Sequence, residues 1–147
     1  MSERGVVRKI YLRSEKRAPV TSVESAVADR GSGLRGDHKK GGKRQVTILS
    51  LESWRAACDE LGVDVDPSLR RANVLTEGVD LREAIGRKLV LGEVHIEVLG
   101  ETDPCDRMDE ASPGLQEALK PELRGGVFGR VVQPGTIDLG AAAYLEG

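Results

Sequence analysis

A chain of 147 residues, 39% hydrophobic and 31% charged, has the ordinary make-up of one soluble globular domain spanning 1–147, long enough to bury a core without disulfide staples. Its 22 Lys and Arg against 24 Asp and Glu give a net charge of -2, which argues against a nucleic-acid backbone or a membrane surface as partner. No apolar run reaches membrane-spanning length, the first residues lack a secretory apolar core, and the two cysteines show no metal-ligand spacing, so the expected setting is cytoplasmic with free thiols.

Residues 5–12, GVVRKIYL, alternate loosely and predict a first strand. Residues 18–28 predict a second, interrupted strand, and the glycine-rich, basic residues 31–43 a loop. Residues 44–50 are β-branched and predict a strand. Residues 50–62 predict a helix: Ser50 is the N-cap, Glu52 suits the positive first turn, and Gly62 is the stop. Leu51, Trp54, Cys58 and Leu61 form its apolar stripe.

Residues 70–78 hold a short strand, and 80–86 read as a short helix with an Asp80/Glu83 capping box ended by Gly86. Residues 87–101 predict two strands about Gly92-Glu93. Residues 112–123 predict a helix opening on Pro113, and 125–140 two strands joined through Pro134-Gly135. Strands this dense, separated by turns, favour a mainly β barrel or sandwich with a few short helices. The core must be built from aliphatic residues, because the aromatics are only Tyr11, Trp54, Phe128 and Tyr144.

The two cysteines differ. Cys58 lies on the apolar stripe and reads as a buried small hydrophobe. Cys105 follows a proline in the polar stretch GETDPCDRMDE, among Glu101, Asp103, Asp106 and Asp109. Loops held by rigid scaffolds are where chemistry concentrates. These acidic neighbours disfavour a thiolate, so a functional Cys105 needs a cation brought to it in space, or a metal. The basic stretch 35–44 and Arg71 are the candidates.

That basic stretch carries Arg35, Lys39, Lys40, Lys43 and Arg44, with His38 and the single acid Asp37. It fails the P-loop pattern, since Gly42 stands where the lysine should be. Glycines and cations together suit an anion-binding loop. His38 is a candidate acid or base; His95, on the polar face of a strand, reads as structural. The four Cys and His residues lack zinc-site spacing. A serine nucleophile elbow is absent, and nothing local supports a Cys105–His38 hydrolase.

Four stretches in order resemble the MOSC family, the domain named for the C-terminal part of molybdenum-cofactor sulfurases. They are GLRGDHKKGGKRQVTILSLES, RRANVLTEGVDLREAIGRKLVLGEVHIEVLGE, the DPC loop, and GGVFGRVVQPGTIDLG. The resemblance covers about residues 30 to 140 and departs from the family where Ala141 follows Gly140. It implies a β-barrel of the pyruvate-kinase type and a bound molybdenum cofactor (molybdopterin), with no zinc and no pyridoxal phosphate in this chain. It places Cys105 at the reactive position, as a molybdenum ligand or a persulfide carrier. Asp37 and His38 fall in its catalytic loop motif. Gly36, Lys39, Lys43, Arg44, Arg71 and Asn73 fall in its cofactor-binding positions. The activity implied is redox or sulfur transfer: a reductase of N-hydroxylated compounds, or a sulfurtransferase. Either needs a separate partner, an electron-transfer protein or a cysteine desulfurase, and the oligomeric state is left open. The competing reading is a non-catalytic module that binds the cofactor, or another phosphorylated small molecule, through residues 35–44.

Overall fold

The computed structural model describes residues 4–15, 19–38 and 40–146. Eleven strands and three short helices follow in order: β1 (Gly5–Leu12), β2 (Thr21–Val23), β3 (Ser25–Asp29), β4 (Gly33–Leu34), β5 (Val46–Ser50), α1 (Leu51–Leu61), β6 (Val74–Glu77), β7 (Lys88–Leu91), β8 (Val94–Glu101), α2 (Arg107–Ala111), α3 (Leu115–Leu119), β9 (Val127–Gln133), β10 (Gly135–Asp138) and β11 (Ala142–Leu145). Seven of them, in the order β1-β11-β7-β8-β9-β5-β6, close on themselves as a barrel through the β6–β1 and β11–β1 pairings. β1 carries β11 at its start and β2 at its end. β10, β3 and β4 form a separate small sheet. The expectation of a mainly β barrel with a few short helices holds.

Alternation explains the closure. In β8, Val94, Ile96 and Val98 point inward and are fully buried, while His95 and Glu97 stay part-exposed. Inward residues of this kind from every barrel strand form one aliphatic cluster, joined by Ala26, Ala28, Leu34 and Ile137 of the small sheet. Burying each Val, Leu or Ile contributes about 1.5–3 kcal/mol. Gly129 lets β8 and β9 meet where a β-carbon would lie 2.2 Å from the Glu97 carbonyl oxygen.

β5 is buried on both faces. Val46 and Ile48 face the barrel interior, and Leu49 faces a second cluster beneath α1 and α3. That is the pattern of a strand in a parallel pair covered by its crossover helix, and β5 and β6 are the parallel pair. α1 matches expectation at both ends. Ser50 accepts a hydrogen bond from the Ser53 amide, and Gly62 closes the helix at φ 66°. Trp54 and Cys58 pack in the second cluster, and the Trp54 indole donates to the Val65 carbonyl at 2.7 Å. Burial pushes the Cys58 thiol above its ordinary pKa, so this sulfur is inert packing.

The structure corrects several boundaries. Residues 80–86 are consecutive turns, because the Asp80 carboxylate accepts from the Arg82 amide two residues on and so closes a turn in place of a capping box. The helix expected over 112–123 shrinks to α3, since Gly114 takes φ 89° and Pro121 stops the run. α2 is additional to the expected elements: one buried apolar residue, Met108, gives no periodicity to read. β4 is a two-residue strand inside the stretch expected as a loop, and β11 lies beyond the last element the sequence predicts. β10 follows Pro134 but leaves β9 and pairs with β3.

Gly129→Ala should destabilise the fold by about 2–3 kcal/mol through overpacking at the β8–β9 seam, measured by chemical denaturation. Gly62→Ala, where the added methyl meets nothing within 4 Å, should cost only the strain of its positive φ, about 1 kcal/mol.

Candidate functional site

One cleft of about 840 Å³ opens between the end of β1, the start of β5, the turn before β6 and the segment from Thr102 to Ala111. Cys105 lines it and is exposed. The cleft also holds five arginines (13, 44, 70, 71 and 107) and His38, with Asp103 and Glu110 as its acids among the described residues.

The floor is a buried polar network. Asp37, 3% exposed, accepts from the Arg13 amide at 2.7 Å and from Nε and Nη2 of its guanidinium, at 3.2 and 3.0 Å. Asn73 is fully buried. Its side-chain oxygen accepts from the Thr47 amide at 3.0 Å and from Arg13 at 3.3 Å. Its amide nitrogen donates to Asp37 and to the Tyr11 carbonyl, each at 3.2 Å. Asp37 and Asn73 therefore hold Arg13 from beneath and do not line the cleft.

A single turn supplies two of the arginines. Residues Pro67–Arg70 make one 3-10 turn, capped by Asp66, and Arg71 leaves it in the left-handed region at φ 64°. This conformation costs a non-glycine residue about 1 kcal/mol or more. It sends the two neighbouring arginines apart. Arg70 turns to one wall and donates to the carbonyls of Gly125 at 2.9 Å, Thr102 at 2.8 Å and Asp103 at 3.4 Å. Gly125 permits this, because a β-carbon there would lie 2.8 Å from the Thr102 oxygen. Arg71 turns elsewhere and donates to the Glu15 carbonyl at 3.0 Å.

The electrostatics divide the same way. Desolvation pulls Arg70 below the ordinary arginine pKa, opposed by the negative charge available at Cys105 and reinforced by Arg44. Desolvation also pulls Arg71 down, and repulsion from Arg13 and Arg107 adds to it. Cations crowded against one another form a site for an anion. The Arg44 guanidinium is propped 5.0 Å from the Phe128 ring centroid, a cation–π contact. His38 places Nδ1 3.1 Å from the Arg13 carbonyl oxygen. A carbonyl only accepts, so Nδ1 carries a proton and Nε2 is the nitrogen left for other partners.

Of the expected site residues, the cleft brings together Cys105, His38, Arg44 and Arg71. Gly36 and Lys43 do not line it, and Lys39 lies outside the described residues. The basic stretch is less of a cradle than its composition implies: Arg35 is paired with Asp29 at 2.8 Å, and the Lys40 ammonium donates to the Leu34 carbonyl. The sequence points to that stretch or to Arg71 for the cation beside Cys105. The structure adds Arg70, whose only trace in the sequence is the Arg-Arg doublet. Arg107 lies two residues from Cys105, a proximity that signals a role only once the cleft is seen. Arg13 carries no sequence signal, because it reaches the site only by pairing with Asp37, 24 residues away.

Limited alkylation of the folded protein should label Cys105 and leave Cys58 unmodified until the chain unfolds, as read by peptide mass. Asp37→Ala should cost about 2–4 kcal/mol, because it leaves Arg13 partly buried without its countercharge; denaturant titration checks this.

The MOSC domain pattern matches residues 35–144 of this chain. Solved structures share the fold at low identity. The YuaD protein from Bacillus subtilis superposes with a TM-score of 0.78 at 21% identity, covering 97% of this chain and 95% of that one. YiiM from Escherichia coli gives 0.71 at 18%, covering 97% and 70%. YiiM from Geobacillus stearothermophilus gives 0.69 at 18%, covering 97% and 73%. No curated protein sequence matches the chain. With three quarters of its length matched and the barrel in place, this chain belongs to the MOSC domain family.

Proposed function

We propose that this chain binds the molybdenum cofactor in the arginine-lined cleft, with Cys105 as its metal ligand, and acts in molybdenum-cofactor-linked redox chemistry. The observation that carries this reading is an exposed thiol on the wall of a cleft crowded with guanidinium groups. The residues present fit the group. A volume of about 840 Å³ is in the range that takes a whole small-molecule cofactor. Among the described residues, no group of three or more His, Cys, Asp and Glu is placed to hold a bare ion. A metal here must bring most of its ligands with it, and thiolate is a soft ligand suited to a sulfur-rich centre.

In this reading Arg71, with Arg13 and Arg107, holds the cofactor's phosphate by charge-assisted hydrogen bonds. Asp37 and Asn73 act beneath them by fixing Arg13. Arg70 fixes the backbone that carries Cys105. His38, through Nε2, accepts or donates a proton at the cleft surface. When bound, the molybdenum centre would supply two-electron redox chemistry, for which N-hydroxylated or N-oxide compounds are the proposed substrates and a separate protein the electron donor.

A second reading has Cys105 carrying sulfane sulfur loaded by a separate cysteine desulfurase. The exposure of its sulfur favours it. A non-catalytic phosphate module built on residues 35–44 is supported less well, because Arg35 and Lys40 already have partners within the protein.

After incubation with cofactor released from a donor protein, the wild-type chain should hold molybdenum in stoichiometric amount by elemental analysis. Cys105→Ser should hold little or none, and Arg71→Gln should take up the cofactor about tenfold more weakly. Equal metal on the wild type and Cys105→Ser would remove the ligand role. No metal on either, with a persulfide mass on the Cys105 peptide, would establish the sulfur-carrying reading in its place.

A further inference from the structure

The cleft contains more cationic positions than one phosphate needs, and its two neighbouring arginines bond to different segments of the chain. Arg71 donates to the Glu15 carbonyl, in electrostatic contact with Arg13 and Arg107. Arg70 points to the wall made by Thr102, Asp103 and Gly125, in electrostatic contact with Arg44 and Cys105. The left-handed Arg71 backbone produces this divergence.

The Arg70 wall has a second unexplained feature. The hydroxyl of Thr102 is buried without a hydrogen-bond partner, the one side-chain oxygen or nitrogen among the described residues in that condition. Thr102 lines the cleft. Leaving a buried hydroxyl unpaired costs about 1–3 kcal/mol, so such a group in a cleft wall asks for a ligand atom. Arg70 spends Nε and one terminal nitrogen on carbonyls, and its other terminal nitrogen makes no bond to the described residues. Arg44 stands exposed on Phe128 with no carboxylate partner among the described residues. The acids facing this wall are Asp103 and, more distantly, Glu101.

We propose that Arg44, Arg70 and the Thr102 hydroxyl form a second anion subsite beside Cys105, distinct from the phosphate-holding Arg13–Arg71–Arg107 group, and that the substrate taken up beside Cys105 carries an anionic oxygen group such as a carboxylate. The proposal rests on the reading of Cys105 as the reactive position and extends it to a substrate class. The hydroxyl donates one hydrogen bond to the anion, and the two guanidinium groups supply charge and further donors.

The test compares two alkylating agents of equal reach, anionic iodoacetate and neutral iodoacetamide, on Cys105 of the metal-free, full-length chain, with the modified peptide counted by mass. In both reactions the thiolate forms a bond to carbon and iodide leaves, so the fraction of thiolate cancels in the ratio of rates. The ratio therefore reports attraction of the negative reagent. The wild-type ratio should exceed that of free cysteine by about five- to tenfold and fall toward it as sodium sulfate is added. Arg44→Gln, an exposed change that leaves the fold intact, should lower the ratio at least threefold. Arg70→Gln should lower it further, provided its circular dichroism matches the wild type, and Arg71→Gln should leave it within twofold.

An Arg44→Gln ratio equal to the wild type would overturn the proposal. So would an equal fall in Arg71→Gln, which would mean one undivided field. Cofactor uptake supplies an independent arm. Uptake by Arg44→Gln within about twofold of the wild type supports two subsites, whereas loss of uptake would make this wall part of the cofactor's own phosphate site and overturn the division. Absence of cofactor uptake by the wild type would defeat the proposed function, and the alkylation ratio would then decide the subsite by itself.

Discussion

The Asn73 side chain is the joint on which the site depends. Fully buried, it links the end of β1 through Tyr11, the middle of β5 through Thr47, and the basic stretch through Asp37. An aliphatic residue of the same size would pack as well, yet would leave the Thr47 amide and the Tyr11 carbonyl without these bonds. The network also holds a charge. Asp37 is almost wholly buried, and Arg13 covers it with a bidentate fork and its own amide. A buried pair of this kind is weak evidence for stability and better evidence for a fixed geometry. Here that geometry aims a guanidinium into the cleft.

Scaffold and site divide the labour by chemistry. The barrel interior is aliphatic and built from alternation, interrupted by register shifts in β1 between Val7 and Lys9 and in β8 between His95 and Ile96 and between Val98 and Gly100. The cleft gathers the positive φ of Arg71, an unpaired hydroxyl, mutually repelling arginines and an exposed thiol. Each is costly alone. Their concentration in one place is the physical signature of a binding site.

The barrel is legible because period-2 patterning in β1 and β8 and β-branching in β5 act locally, and because the turn at Gly92 and the caps of α1 follow from residue chemistry. The short elements are not, since four residues such as Ala142–Leu145 carry too little pattern to separate strand from loop. In the site, Cys105 is legible by contrast with Cys58, an exposed polar setting against an apolar stripe. Which cations meet it is not. Arg13 arrives through a pairing with Asp37, and Arg70 rather than Arg71 turns toward the thiol through a backbone conformation that no side-chain motif announces. Composition counts the basic residues of 35–44 correctly but cannot say that Arg35 and Lys40 turn back onto the protein.

The fixed mounting of Cys105 also decides how the protein ages under oxidative stress. The thiol stands in solvent, while the chain's other cysteine is sealed beneath α1. A sulfenic acid formed at Cys105 thus finds no resolving cysteine in its own molecule. It must be captured by a small thiol from solution or by a second protein, or proceed to the irreversible sulfinic acid. Occupancy of the cleft would then act as a chemical shield, and the protein's working lifetime would depend on how seldom it stands empty.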